Sequence, residues 1–203
     1  MSTTPFPHVA PLRRFVGSIT SLVDRSNDEA LLVREGSALL RELIARDDWL
    51  PEELTRAHPQ YYQQYLLHAD AQERFSVVSF VWGPGQATPI HDHTVWGLIG
   101  ILRGGEVAQD YRPGPTGAMA EHGAPRTLKP GDVEAVSPTI GDVHRVTNLY
   151  PDQVSISIHV YGANIGAVHR HVYTEDGQRK PFVSGYSNAW LPNLWDRSKE
   201  AAQ

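Results

Sequence analysis

His91 and His93 are separated by a single residue, and a second motif far along the chain, Pro138-Thr139-Ile140-Gly141-Asp142-Val143-His144 with Asn148 beyond it, supplies another histidine. Side chains at i and i+2 of a β-strand share a face, so His91 and His93 aim two imidazoles at one point. His144, arriving on another strand, completes a facial set of nitrogen donors with coordination positions left open. That arrangement suits a first-row metal that must bind a substrate or oxygen. A lone histidine is more often a surface or core residue than a ligand, but the Gly and Pro residues framing both motifs tip the reading to ligation. Asp92 points to the opposite strand face, where it supports the site and does not ligate. The chain contains no cysteine, which excludes disulfides, thiolate ligation, a Cys nucleophile and iron–sulfur chemistry, and leaves His and oxygen donors.

A second array lies in Val154-Ser155-Ile156-Ser157-Ile158-His159-Val160-Tyr161. It alternates strictly, placing Val154, Ile156, Ile158 and Val160 on one face and Ser155, Ser157, His159 and Tyr161 on the other. The alternation alone leaves two readings open. The polar face is either the solvated side of an edge strand, or an inward stripe in which the Ser157 hydroxyl, the His159 imidazole and the Tyr161 phenol form a hydrogen-bonded chain. An organic acid would need a countercharge, for which Arg103, Arg112, Arg126, Arg145 and Arg170 are candidates, because a guanidinium holds a carboxylate through two parallel hydrogen bonds. The pattern does not choose among them. His8, His58, His68 and His122 fall in no site pattern, His169 and His171 read as structural, and Trp82 and Trp96 read as core or pocket lining.

The elements that position these residues divide the chain in two. Leu12, Phe15, Val16, Ile19, Leu22 and Val23 follow helical spacing, and Ser26 with Glu29 reads as a capping box for a second helix running to about Arg46. Gly36 weakens that helix by ~1 kcal/mol relative to Ala. A third, short helix starts at Pro51, followed by Glu52 and Glu53 in its first turn, so the first sixty or seventy residues read as helical. From Arg74 onward short strands dominate: Phe75 to Trp82, Val95 to Leu102, Glu106 to Tyr111, Arg126 to Lys129, Val133 to Val136, Val143 to Leu149 and Val154 to Tyr161. The 17 Gly and 15 Pro of the 203 residues mark turns between them. Such spacing without intervening helices indicates an antiparallel sandwich or barrel. The tail after Pro181, with Trp190, Pro192 and Trp195, is expected to pack across it. A net charge of -5 with no Lys/Arg run speaks against nucleic acid. No apolar stretch long enough to span a membrane and no secretory leader pattern are present, so a cytoplasmic protein is expected.

Gly85, His91-Asp92-His93, Gly97 and Gly104 together resemble the first cupin motif, and Pro138, Gly141, His144 and Asn148 resemble the second. The resemblance implies a mostly β fold, a cupin double-sheet (jelly-roll) barrel with N-terminal α-helices. It also implies a single domain over residues 1–203, with 1–70 a helical segment packed on the barrel and 71–203 the barrel and its tail. Where the first motif commonly carries a metal-binding Glu, this chain has Gly97. In that departure, and through His91-Asp92-His93-Thr94-Val95-Trp96-Gly97, it resembles the thiol dioxygenases of the cysteine dioxygenase type I family. Animal members carry a Cys near this glycine that crosslinks to a Tyr; its absence points to the bacterial 3-mercaptopropionate branch. The resemblance implies one Fe(II) per chain on His91, His93 and His144. It places Ser157, His159 and Tyr161 beside the iron with Tyr161 nearest substrate and oxygen, and puts Arg170, within His169-Arg170-His171-Val172-Tyr173, on the substrate carboxylate. The implied partners are a small thiol carboxylic acid and O2, and the implied reaction makes 3-sulfinopropionate from 3-mercaptopropionate. Rival readings are a cysteine or mercaptosuccinate dioxygenase, a manganese- or nickel-dependent cupin, and a non-catalytic cupin binding a metal or small acid.

Overall fold

Two helices open the computed structural model, which describes residues 8–189 and 195–201. Helix α1 spans Ala10–Arg25 and buries Phe15, Ile19 and Leu22, the stripe expected from their spacing. Helix α2 spans Glu29–Ile44. Its cap differs from the expected Ser26 and Glu29 pair. Asp28 is the N-cap, its carboxylate accepting from the amides of Ala30 and Leu31 at 3.0 and 3.4 Å, while Ser26 Oγ accepts from the Asp28 amide. An anion at the helix N-terminus serves both the orphan amides and the macrodipole. Glu29 is then free to turn away, and it accepts hydrogen bonds from Ser137 and Thr139. The helix stops at Ile44, short of Arg46, where the fully buried Trp49 indole donates to the carbonyls of Leu43 and Arg46. A 3-10 turn over Glu52–Thr55 follows Pro51.

The helical reading of the first sixty or seventy residues fails over their last part. Gln63–Ala69 is a strand, β1. Its polar residues, Gln63, Gln64 and His68, blur the alternation, and a bulge between Leu66 and His68 breaks it further. The pairing with the next strand decides the conformation. The remaining strands are β2 Ser76–Trp82, β3 Ile90–His91, β4 Gly97–Arg103, β5 Glu106–Pro113, β6 Met119–Leu128, β7 Val133–Val136, β8 His144–Asn148, β9 Ser155–Tyr161, β10 Arg170–Tyr173 and β11 Arg179–Phe182. β6 begins well before the expected Arg126, because its mostly exposed residues carry no burial period and are held by pairing with β5.

The strands form a five-stranded sheet, β1-β2-β9-β4-β7, and a six-stranded sheet, β11-β10-β3-β8-β5-β6, with every named pair antiparallel. The protein is thus the double-sheet, mostly β barrel with N-terminal helices that the resemblance implied. Helices α1 and α2 cover the outer face of the five-stranded sheet, where Phe15, Ile19, Leu40 and Ile44 pack with Leu98, Ile156, Ile158 and Val160. Gly36 is a contact point: a Cβ there would sit 2.8 Å from the Leu98 side chain. The loss of intrinsic helix propensity permits close approach of helix and sheet. A short C-terminal helix, α3, covers Ser198–Ala201, and no helix among the described residues is long and apolar enough to cross a membrane.

The tail lies along the edge strand β1. Ser187 exchanges hydrogen bonds with Gln64, and Asn188 does so with Leu66, which blunts an otherwise open sheet edge. Trp190 and Pro192 lie outside the described residues. Asn148, the last residue of the second motif, holds a strand end: its amide nitrogen reaches the carbonyls of Trp82, Gly83 and Gln153 at 3.2, 2.9 and 2.8 Å, and its oxygen accepts from the Tyr150 amide and Ser155 Oγ. Asn148→Ala is expected to lower stability by about 2–4 kcal/mol, because buried carbonyls lose their donor. The measurement is the urea midpoint at constant m value, and a shift worth under about 0.5 kcal/mol would remove Asn148 from its role as the strut joining β8 to the end of β2.

Candidate metal centre and its pocket

β3 and β8 pair antiparallel with His91 directly opposite His144. The strand itself ends at His91, so His93 lies just beyond it and not within it as expected; its ring nevertheless comes round to the same side. Each pair among the three imidazoles has its ring centroids 4.9 Å apart. One nitrogen from each lies within 4.8 Å of the others, and all three residues are buried.

Neighbouring groups set the orientation of two of these rings. Pro89 carbonyl oxygen lies 3.1 Å from His91 Nδ1, so that nitrogen donates and Nε2 is left as the lone-pair atom. His93 Nδ1 lies 2.9 Å from Asp142 Oδ1. The same carboxylate accepts from the amides of His93 and Thr94, which Thr94 permits by adopting φ 61°. Burial would raise Asp142, but these hydrogen bonds and the adjacent His93 hold it below the usual carboxylate range. Both ring nitrogens of His144 are buried with no hydrogen-bond partner among the described residues. Burial, reinforced by the neighbouring imidazoles, holds His91 and His144 well below the ordinary histidine value. The donor set is therefore made of lone-pair imidazoles, one with orphaned nitrogens, and it fits a divalent cation. Asp92 turns away as expected and accepts from the His171 amide, His171 Nδ1 and Tyr173 hydroxyl, tying β3 to β10. At Gly97 a Cβ would lie 2.9 Å from the Tyr161 ring. The room a carboxylate side chain would need at that position is occupied by a phenol.

β9 is flanked by β2 and β4, so its polar face cannot be the solvated side of an edge strand. It turns inward. Ser157 Oγ lies 2.8 Å from His159 Nε2, and His159 Nδ1 lies 2.8 Å from the Tyr161 hydroxyl. Trp82 Nε1 donates to Ser157 Oγ at 3.1 Å, and Phe80 stacks on the His159 ring at 4.0 Å. Burial pushes the Tyr161 phenol up and the His159 imidazole well down, so both are held neutral. The Tyr161 ring stacks on His93 at 5.6 Å, which brings this chain against the imidazole triangle. Val154 precedes the strand and is exposed, so it does not share the buried face with Ile156, Ile158 and Val160.

The candidate arginines separate once folded. Arg103 pairs with Asp47, Arg126 pairs with Asp110 and Glu134, and Arg112 and Arg145 are exposed. Arg170 is 3% exposed, donates to Ser184 Oγ at 2.6 Å, sits over the Phe182 ring at 4.7 Å, and leaves Nε without a hydrogen-bond partner among the described residues. It faces a cavity of about 220 Å³ that also contains His91, His93, His144, His159 and Tyr161, with Tyr62, Gln64, Phe80, Trp82, Val172 and Phe182 on its walls. No Asp or Glu lines this cavity among the described residues.

Sequence reasoning missed several of these groups. Asp142 was in plain view two residues before His144, and a carboxylate beside a ligand histidine is a usual orienting group. Tyr62 and Gln64 were lost with β1. Glu106 gave no sign in the sequence: it is fully buried on β5, and neither of its carboxyl oxygens has a hydrogen-bond partner among the described residues.

Residues 52–173, more than half of the chain, match the family described as cysteine dioxygenase type I, and the protein belongs to that family. It is 27% identical over 150 residues to cysteine dioxygenase type 1 of Rattus norvegicus and equally to that of Mus musculus, covering 64% of this chain and 74% of each relative. Solved structures similar to it include an uncharacterized conserved protein with a double-stranded beta-helix domain from Klebsiella pneumoniae (TM-score 0.42, 21% identity, 58% of this chain and 91% of that one). Another is a cupin superfamily protein from Desulfitobacterium hafniense (TM-score 0.43, 16% identity, 58% of this chain and 93% of that one).

Burial pushes the Glu106 carboxyl from its ordinary 4.5 up to about 7. An acid whose folded value is raised binds its proton more tightly in the native state, so native stability falls as pH rises from 4.5 to about 7 and levels off above it. Glu106→Gln, which cannot ionise, is expected to gain on the wild type across that window by up to about 3 kcal/mol. Thermal midpoints at the two ends of the window measure it, and a difference that does not change with pH would contradict the burial of an ionisable carboxyl.

Proposed function

We propose that the protein is a non-haem iron(II) thiol dioxygenase that converts 3-mercaptopropionate and O2 into 3-sulfinopropionate. The observation that carries this reading is Arg170, a buried guanidinium without a carboxylate partner among the described residues, which shares one small cavity with three converging imidazoles. A buried cation lacking a protein countercharge is costly, and an anionic ligand relieves that cost.

His91, His93 and His144 would hold one Fe(II), with the orphaned nitrogens of His144 and the Asp142-oriented ring of His93 supporting ligation. When bound, the iron would supply the redox chemistry between thiol and dioxygen and would favour the thiolate near neutral pH. Arg170 binds the substrate carboxylate through its unpartnered Nε and a terminal nitrogen, and this fixes the distance from acid to sulfur. Tyr161, neutral and backed by His159, offers its hydroxyl to the reacting end of the substrate. Phe80, Val146, Val172 and Phe182 keep water from the site.

Pocket charge supports the mercaptopropionate branch. Among the described lining residues Arg170 is the one Arg or Lys, and there is no carboxylate. A single carboxylate is matched, whereas the second acid group of mercaptosuccinate lacks a cation and the ammonium of L-cysteine lacks an anion. A cysteine dioxygenase is the second reading, favoured by the likeness to the two mammalian cysteine dioxygenases.

With iron-loaded protein, oxygen uptake and sulfinate formation are expected to give kcat/KM for 3-mercaptopropionate at least about tenfold above that for L-cysteine or mercaptosuccinate, the value of one charge-assisted hydrogen bond. Equal or reversed preference would reassign the substrate, and no uptake with any thiol would favour a binding protein. Arg170→Ala is expected to raise KM for the acid by about 10–100-fold with a smaller change in kcat; an unchanged KM would take the carboxylate away from Arg170. His144→Ala should lose bound iron and turnover together, and a variant that keeps both would refute the assignment of this ligand.

A further inference from the structure

Glu106 opens β5 directly opposite Asn148 on β8, and its side chain is fully buried. Its surroundings are polar only in part. The Ser157 hydroxyl and the Trp82 indole lie beside the carboxyl and favour its charged form, while Glu134 on β7, itself paired with Arg126, disfavours it. Tyr161, farther along the same inner face, feels the charge of Glu106 as well. Burial outweighs the two favourable neighbours, which is why the group titrates near neutrality and not in the ordinary carboxylate range.

Ser157 Oγ is bonded to His159 and accepts from Trp82 Nε1–H, and the Glu106 carboxyl lies close enough to feel both neighbours while standing outside hydrogen-bond geometry, its two oxygens without a partner among the described residues. The terminal torsion of a Glu side chain is soft and roughly two-fold, so a modest rotation brings a carboxyl oxygen into line with the hydroxyl. Two complete hydrogen-bond patterns then exist. With Glu106 as a carboxylic acid, its O–H donates to Ser157 Oγ, Ser157 O–H donates to His159 Nε2, His159 Nδ1–H donates to the Tyr161 oxygen, and Tyr161 O–H is left to donate into the pocket. With Glu106 as a carboxylate, Ser157 O–H donates to it, His159 Nε2–H donates to Ser157 Oγ, and Tyr161 O–H donates to His159 Nδ1. The pocket then sees only a phenol lone pair. The two patterns differ by the one proton on Glu106 and by the His159 tautomer; Ser157 and Tyr161 keep theirs.

We propose that Glu106 is a positioning residue whose proton sets the direction of hydrogen bonding along Ser157, His159 and Tyr161, so that Tyr161 is a donor at the pocket when Glu106 is protonated and an acceptor when it is not. The consequence for turnover rests on the proposed placing of Tyr161 against substrate, but the state of His159 does not.

The test reads the tautomer directly. Nitrogen-15 NMR of the full chain loaded with diamagnetic zinc(II) is expected to show the His159 proton on Nδ1 below the Glu106 transition and on Nε2 above it. Infrared difference spectra of the same wild-type sample should show a buried carboxylic acid carbonyl band that disappears over the same range. In Glu106→Gln the tautomer should no longer depend on pH, and the fall in kcat of the iron-loaded enzyme above about pH 7 should be absent. A wild-type His159 that keeps one tautomer throughout, or a wild-type sample with no carboxylic acid band, overturns the inference whether or not the variant folds. If Tyr161→Phe turns over like the wild type while the tautomer switches as expected, the role of Tyr161 fails and that of Glu106 in ordering the chain stands.

Discussion

The antiparallel pairing of β3 with β8 is the contact on which the rest of this molecule depends, because it sets His91 opposite His144 within the six-stranded sheet. β3 is only two residues long and could not hold this register alone. It is strapped from both sides: Asp92 binds the amide and ring of His171 on β10, and Asp142, just ahead of β8, binds the amides of His93 and Thr94. Each carboxylate thus fixes backbone as well as a side chain. Three imidazoles are held in place before any ligand arrives, which spares a bound metal the entropy of ordering them.

The interior built around that pairing is polar where chemistry is expected and apolar elsewhere. One face of β9 supplies the hydrogen-bonded Ser157, His159 and Tyr161, while Ile156, Ile158 and Val160 on its other face pack beneath the helices. The helices therefore serve the site at a distance. By covering the outer face, with Gly36 admitting Leu98 at close approach, they allow a sheet to be buried on both sides and its inner face to be given over to polar groups. Charge is distributed with the same economy. Burial keeps His91, His144 and His159 neutral and Tyr161 protonated, and Arg170 has no carboxylate partner among the described residues.

Much of the site was legible in the chain. His91, His93 and His144 sit in two motifs whose Gly and Pro residues mark the turns, and the strict alternation of residues 154–161 follows from the two-residue repeat of a strand. The helical stripes of α1 and α2 are similarly local. What escaped was set by partners distant in sequence. β1 carries no clean period and becomes a strand by pairing with β2. Asp28 displaced Ser26 as the cap because Glu29 had a better use across the molecule at Ser137. Spacing left five arginines alike, and the resemblance that singled out Arg170 supplied no physical ground for it; folding gave carboxylates to Arg103 and Arg126 and, among the described residues, none to Arg170.

Residue spacing by itself determined that two imidazoles share a face, that β9 has one oily and one polar side, and that no thiolate ligand exists, since these are consequences of backbone period and composition. Only the tertiary structure decided that the polar side of β9 points inward, that Arg170 and not another arginine guards the cavity, and that Glu106 is buried behind Ser157. Those outcomes depend on which strand is central and which groups lose their water, and desolvation is a property of packed neighbours that no stretch of sequence carries alone.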